Sequence, residues 1–269
     1  MTFAPRLATS GWFLAALRHD RAVVLGGLAF VVLLASIYLV LAVDAGMEKM
    51  DMGGGQMMAM RPEWTLGYGF LIFAMWAVMM VAMMLPSAAP VTLLIASVAR
   101  KSAAAGGALR GRTALFVSGY LAVWLAFAGV ATILQWALEE AGLLSETMAL
   151  GNTVLAGSVL IAAGVYQWTP FKRACLRHCR SPLDFLLFHW RDDAFGMAAS
   201  GVRHGLFCLG CCWMLMALLF VGGVMNFLWI AGIALLVLIE KTLPGGRWVS
   251  QATGAVLVAW GAVTLASAG

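Results

Sequence analysis

Hydrophobic positions along this chain fall in long unbroken runs rather than in alternation. Stretches of about 20 apolar residues, the length needed to cross a bilayer as helix, occur at Ala22–Val43, Leu66–Met84, Ala114–Leu138, Leu150–Trp168, Gly205–Val224 and Gln251–Ala268. A shorter seventh runs from Phe227 to Ile239. A membrane admits only helices or closed barrels, and continuous runs select helices. The predicted fold is therefore all-α, a polytopic transmembrane bundle of about seven spans. Residues 1–21 form an N-terminal cytoplasmic segment and 22–269 one helical domain, with an outer loop at 44–65 and a basic inner loop at 169–204. The first run follows Arg6, Arg18 and Arg21 as a signal peptide would. It exceeds the ~7–15 residues of a signal h-region, so retention is expected over cleavage near Asp44.

Composition agrees. Of 269 residues 63% are hydrophobic and 11% charged, against roughly 50% and 25% in soluble domains, which excludes a soluble globule. The net charge of +5 would raise a nucleic-acid question in a soluble protein. Here its distribution reports topology, and no nucleic-acid partner is expected. With the N-terminus inside, only Lys49 and Arg61 of the 17 Lys and Arg fall in outer segments, while Asp44, Glu48, Asp51, Glu63, Glu139, Glu140 and Glu146 make those segments acidic. This is the positive-inside pattern of a bacterial inner-membrane protein. Gly119, Gly129, Gly157, Gly164, Gly222 and Gly223 suit close helix packing.

All five cysteines lie between Cys175 and Cys212, at or near the cytoplasmic face, where thiols stay reduced and metal or redox work outweighs structural disulfides. Cys208, Cys211 and Cys212 stand three and four apart, one helical face, with His204 a turn before them and Met214 and Met216 after. Thiolates and thioethers are soft ligands and favour Cu(I), with zinc as an alternative. Met79, Met83 and Met84 recur at helical spacing in the second run, with Met75 and Met80, and reach the same inner leaflet. Pro86 and Pro90 are expected to break the helix there and open a cavity. Cys175, His178 and Cys179 form a second constellation among Arg173, Arg177 and Arg180, either a metal docking position or an ordinary basic interfacial segment. Glu240, beside Lys241, reads either as an interfacial ion pair or as a ligand or proton relay. The outer loop from Met47 to Met60 is Met-rich, acidic and Gly-broken, a candidate for copper capture or a plain linker. His19 and His189 carry no assigned role. No phosphate-binding Gly loop, nucleophile elbow or zinc-protease motif is present, so an enzyme is not the leading expectation.

Ala82-Met83-Met84-Leu85-Pro86, Tyr166-Gln167-Trp168-Thr169-Pro170-Phe171-Lys172, Cys175-Leu176-Arg177-His178-Cys179-Arg180-Ser181-Pro182 and Gly205-Leu206-Phe207-Cys208-Leu209-Gly210-Cys211-Cys212-Trp213-Met214 together carry a resemblance. With Gly222 to Asn226 and Ile239-Glu240-Lys241, the chain resembles a bacterial domain-of-unknown-function family described as predicted metal-binding integral membrane proteins. The resemblance implies a multi-spanning protein holding metal through its Cys-rich segment. Three functions follow as expectations. The first is soft-metal binding, copper as Cu(I), for trafficking, insertion or homeostasis, with a metallochaperone or another membrane subunit as partner beside the lipid bilayer. The second is a membrane thiol-disulfide redox couple, and the third a structural assembly subunit.

Overall fold

A computed structural model describes residues 64–104, 112–145, 148–180, 193–243 and 245–268. The first apolar run, the Met-rich stretch Met47 to Met60 and residues 181–192 of the inner loop lie outside the described residues. The elements are helical in order: α1 (Leu66–Ala104), α2 (Arg112–Glu140), α3 (Thr153–Gln167), α4 (Pro170–Arg180), α5 (Ala194–Ala217), the short α6 (Leu219–Gly222), α7 (Phe227–Thr242) and α8 (Gly246–Ala266). Beside them stands one isolated bridge, Leu144 to Leu150.

Four described stretches are long and apolar enough to cross a membrane: Leu66–Ala96, Arg112–Glu140, Phe195–Gly222 and Gly246–Ala266. Leu150–Trp168 is expected as a plain span. Its helix, α3, ends within a residue of that bound but has only 15 residues, and it reaches spanning length only together with α4, into which the chain turns by 63°. The cause is Thr169-Pro170: a residue before proline is steered away from helix, while proline itself starts one well. Thr169 Oγ1 caps α4 by accepting from Lys172 N at 3.2 Å, and Trp168 Nε1 ties the bend to Gln251 O at 3.2 Å. The expected break at Pro86 is corrected, since α1 runs through Pro86 and Pro90 without interruption. Both prolines lack an N–H, so the carbonyls of Ala82 and Pro86 lose their usual donors four residues on. The stretch read as an inner loop, 169–204, is largely helical where described. Its second half is the start of α5, capped by Asp193 accepting from Gly196 N at 3.0 Å, which puts His204 inside a helix. α7 has 16 residues, about 24 Å at 1.5 Å per residue, short of the ~30 Å hydrocarbon layer.

Glycines set how closely these helices meet. A Cβ on Gly164 would lie 2.8 Å from Gly254 O, and one on Gly254 2.9 Å from Gly164 O. Gly157 and Gly261 face each other in the same reciprocal way, at 3.1 and 2.8 Å. These two pairs hold α3 and α8 backbone to backbone in antiparallel contact, the small-residue packing that substitutes for hydrophobic association in lipid. Gly164→Val is therefore expected to overpack the crossing and destabilise the protein by about 1–3 kcal/mol, read as a lower melting temperature in detergent. α2 and α5 instead run parallel. Phe116 O blocks a Cβ on Gly201, and Tyr120 O and Val123 do the same for Gly205.

Other contacts fix direction. Trp76 stacks near Phe220 with ring centroids 5.2 Å apart, while Cys212 Sγ lies 4.0 Å from Met84 Sδ, so α1 and α5 are antiparallel. Trp76 Nε1 donates to Gln135 Oε1 at 2.8 Å, Gln135 Nε2 to Glu139 Oε1 at 2.8 Å, and Trp64 Nε1 to Glu139 Oε2 at 2.8 Å. This chain satisfies the polar groups at one end of the α1–α2 pair. The opposite end carries Met84, Cys208, Lys241 and the α3–α4 bend.

Candidate metal centre

The helical spacing of Cys208, Cys211 and Cys212 puts their side chains on one inward face of α5, all three buried. Gly201 and Gly205 admit α2 close enough for Tyr120 to reach that face. Tyr120 Oη lies 3.1 Å from Cys208 Sγ and donates to Met84 O at 3.1 Å. From α1, Met84 brings its thioether to Cys212. Met79 and Met83 are buried on the same helix, as are Met75 and Met80, so both methionine stripes face the interior. From the end of α7, Lys241 Nζ donates to Cys208 Sγ at 2.9 Å and to Ser87 Oγ at 3.1 Å.

The second Cys constellation divides. Cys179 interacts with the thiols of Cys208 and Cys211, which joins α4 to the cluster. Cys175 is buried with its sulfur against Gly210, where a Cβ would lie 2.8 Å from it. His178 turns outward: its Nδ1 lies 2.9 Å from Ala174 O, and its ring stacks on Phe207 at 4.3 Å and 7°. His204 is buried one turn before Cys208, between the rings of Phe116 and Tyr120, each 5.8 Å away. Five helices thus deliver side chains to one region, and all five cysteines are free thiols.

Among the described residues, no three His, Cys, Asp or Glu side chains are arranged as a ready metal cage. The geometry says why. Cys211 Sγ and Cys212 Sγ both turn back along α5 and donate to Cys208 O at 3.0 Å, the local back-bonding that a polar side chain in a helix adopts. Rotation about χ1, between staggered wells, would release both sulfurs.

Glu240 belongs to a different structure. It pairs with Lys172 of α4, 68 residues away in sequence, and not with its neighbour Lys241. Lys172 Nζ lies 2.7 Å from Glu240 Oε2, with side chains 1% and 2% exposed. Lys172 also donates to Gln167 Oε1, and Ser250 Oγ donates to Glu240 Oε1 at 3.0 Å. Arg180 donates to Leu243 O beside it. This is a satisfied buried ion pair locking α3, α4, α7 and α8 together. Sequence reasoning missed Lys241 and Tyr120 as neighbours of the thiols. The usable signal was a lysine ending an otherwise apolar α7, and a tyrosine next to Gly119 and one turn after Phe116 on the α2 face that meets α5.

No curated protein and no solved structure matches the chain. A family model for PpoB2, described as a copper chaperone, matches residues 73–264. That range takes in Met79 to Met84, both cysteine constellations and Lys241, and the matched helices include several apolar enough to cross a membrane. The chain belongs to this copper chaperone family.

Proposed function

We propose that this membrane protein receives Cu(I) on a sulfur set built from Cys208, Cys211, Cys212 and Met84, with Cys179 at its edge, and passes it on by ligand exchange. Copper, not zinc, is the cargo. The observation that carries this reading is the convergence of sulfurs from α5, α1 and α4 on one buried point, in a family described as copper chaperones. Soft sulfur donors prefer Cu(I) to harder divalent ions. Arrival of the cargo would require Cys211 and Cys212 to swing off Cys208 O, and each such hydrogen bond is worth only about 1 kcal/mol net. A site that is nearly formed and cheaply opened suits a carrier, which must release what it takes. Lys241 and Tyr120 hold Cys208 Sγ in place through two hydrogen bonds, and the ammonium puts a positive charge where a monovalent metal would bring its own. Met79, Met83, Cys175 and His204 line the approach within α1, α4 and α5, and His178 faces a docking partner such as a metallochaperone or another membrane subunit.

The orientation read from the charges fits this scheme. Lys172, Arg173, Arg177, Arg180, Arg203, Lys241 and Arg247 gather toward the end that holds the thiols, with Glu139 and Glu140 toward the other. Placed by the positive-inside rule, the site lies near the cytoplasmic face of an inner membrane crossed several times, seven spans in all with the N-terminus inside.

The test is Cu(I) loading of the full chain, purified anaerobically in detergent. Near-stoichiometric copper that survives desalting, with sulfur-dominated coordination by X-ray absorption, is the expected result. Copper bound through oxygen and nitrogen alone, or lost on desalting, overturns it.

A further inference from the structure

We propose that the inner end of the bundle holds a second site, independent of copper, for the phosphodiester headgroup of an anionic phospholipid. The bend between α3 and α4 leaves a cavity of about 910 Å³ against the start of α8. Lys172, Arg173, Arg177, Arg180 and Arg247 line it, and among the described residues no carboxylate does. Glu240 sits behind Lys172 and balances that one charge, so four arginines face the cavity with no carboxylate among its described lining residues.

A basic end is expected of any inner-facing segment, and arginines alone would mean no more than that. The second observation is Gln167. Its side chain is 2% exposed and lines the cavity. Its Oε1 accepts from Lys172, yet its Nε2 has no hydrogen-bond partner. A buried amide donor left unmade costs about 1–3 kcal/mol, and an anionic oxygen in the cavity would satisfy it.

The chemistry selects the class of ligand. Guanidinium forks match phosphate oxygens in pairs, and a planar amide donor adds a further bond from below. Depth selects the source. Trp168 at the bend and Trp248 at the start of α8 are exposed at 43% and 77% beside the cavity, where amphipathic Trp side chains mark the headgroup level. Trp168, Pro170 and Leu176 also contribute apolar wall, which suits the glycerol and first acyl carbons more than a free ion. Basic pockets between helices on the inner side are recognised headgroup sites.

The experiment is native mass spectrometry of the full chain in detergent with added phosphatidylglycerol, phosphatidylcholine or inorganic phosphate. Phosphatidylglycerol is expected to be retained over phosphatidylcholine. Arg173→Gln, Arg177→Gln and Arg247→Gln, all at exposed positions, together should weaken it by about two orders of magnitude, roughly fivefold per charge. Gln167→Glu keeps a partner for Lys172 while placing a carboxylate in the cavity, and should abolish the lipid preference with the melting temperature maintained. Equal retention of both lipids, or parental retention by the triple variant, overturns the proposal. Stabilisation by inorganic phosphate without phosphatidylglycerol retention overturns the lipid assignment.

Discussion

Copper retention falls to background when Cys208, Cys211 and Cys212 are replaced together by Ser, while the helical signal and melting temperature stay near those of the parent. The two halves of this result have separate causes. A serine hydroxyl can repeat the back-bonds that Cys211 and Cys212 make to Cys208 O, and it fills slightly less space, so α5 keeps its packing. A neutral hydroxyl, however, is a hard and weak ligand, and Cu(I) loses every thiolate of the central helix at once. Met84→Leu should leave partial binding, because it removes one thioether and no thiolate. Elemental analysis of copper per chain after Cu(I) loading and desalting reads both variants. Parental copper in the triple Ser variant would sink the assignment. Thiol counting after mild oxidation separates the redox alternative: a dithiol couple loses two thiols reversibly, whereas a ligand set keeps all five until metal arrives.

The periodicity of Cys and Met residues was enough to expect α1 and α5 at one depth, because helical spacing is local and three thiols within five residues must share a face; whether α4 joins them stayed open. What each sulfur touches was not legible. Lys241 looks like one more positive-inside charge when read along the chain, and only the antiparallel packing of α7 on α5 brings its ammonium to Cys208. Tyr120 lies 88 residues from the thiol it contacts, a distance no spacing rule spans. Proline reading failed in an instructive way. Pro86 and Pro90 are absorbed in α1, while Pro170, preceded by Thr169 and docked through Trp168, ends α3. A proline weakens a helix, but whether the helix stops depends on what can satisfy the backbone it frees. Gly119, Gly157, Gly164 and Gly222 sit at close approaches as read, whereas a Cβ on Gly129 would meet nothing nearer than 3.9 Å and Gly223 takes φ 93° at the end of α6. The reciprocal pairing of positions 157 and 164 with 261 and 254 required the partner helix to be known.

The Lys172–Glu240 pair carries the largest stability prediction. Glu240→Ala leaves an ammonium that is 1% exposed with no carboxylate, and removes the acceptor of Ser250. Breaking one side of a buried pair costs about 3–5 kcal/mol, equivalent to roughly 6–20 °C in melting temperature for a chain of this size. The Coulombic gain of the intact pair is largely offset by the desolvation of both ions, so the double change Lys172→Met with Glu240→Leu should recover most of the loss or exceed the parent. That contrast separates pairing from ligation. If Glu240 served the metal, Glu240→Gln would lower copper retention at unchanged stability. If it serves Lys172, Glu240→Gln lowers the melting temperature and the copper bound per folded chain is maintained. Thermal unfolding in detergent, scored beside copper content for the single and double variants, decides it. Four helices meet at this pair, on the residue next to Lys241 but on a different face of α7. Its loss should therefore lower the folded fraction and leave the sulfur set of each folded chain unchanged, so copper should fall only in step with the folded fraction.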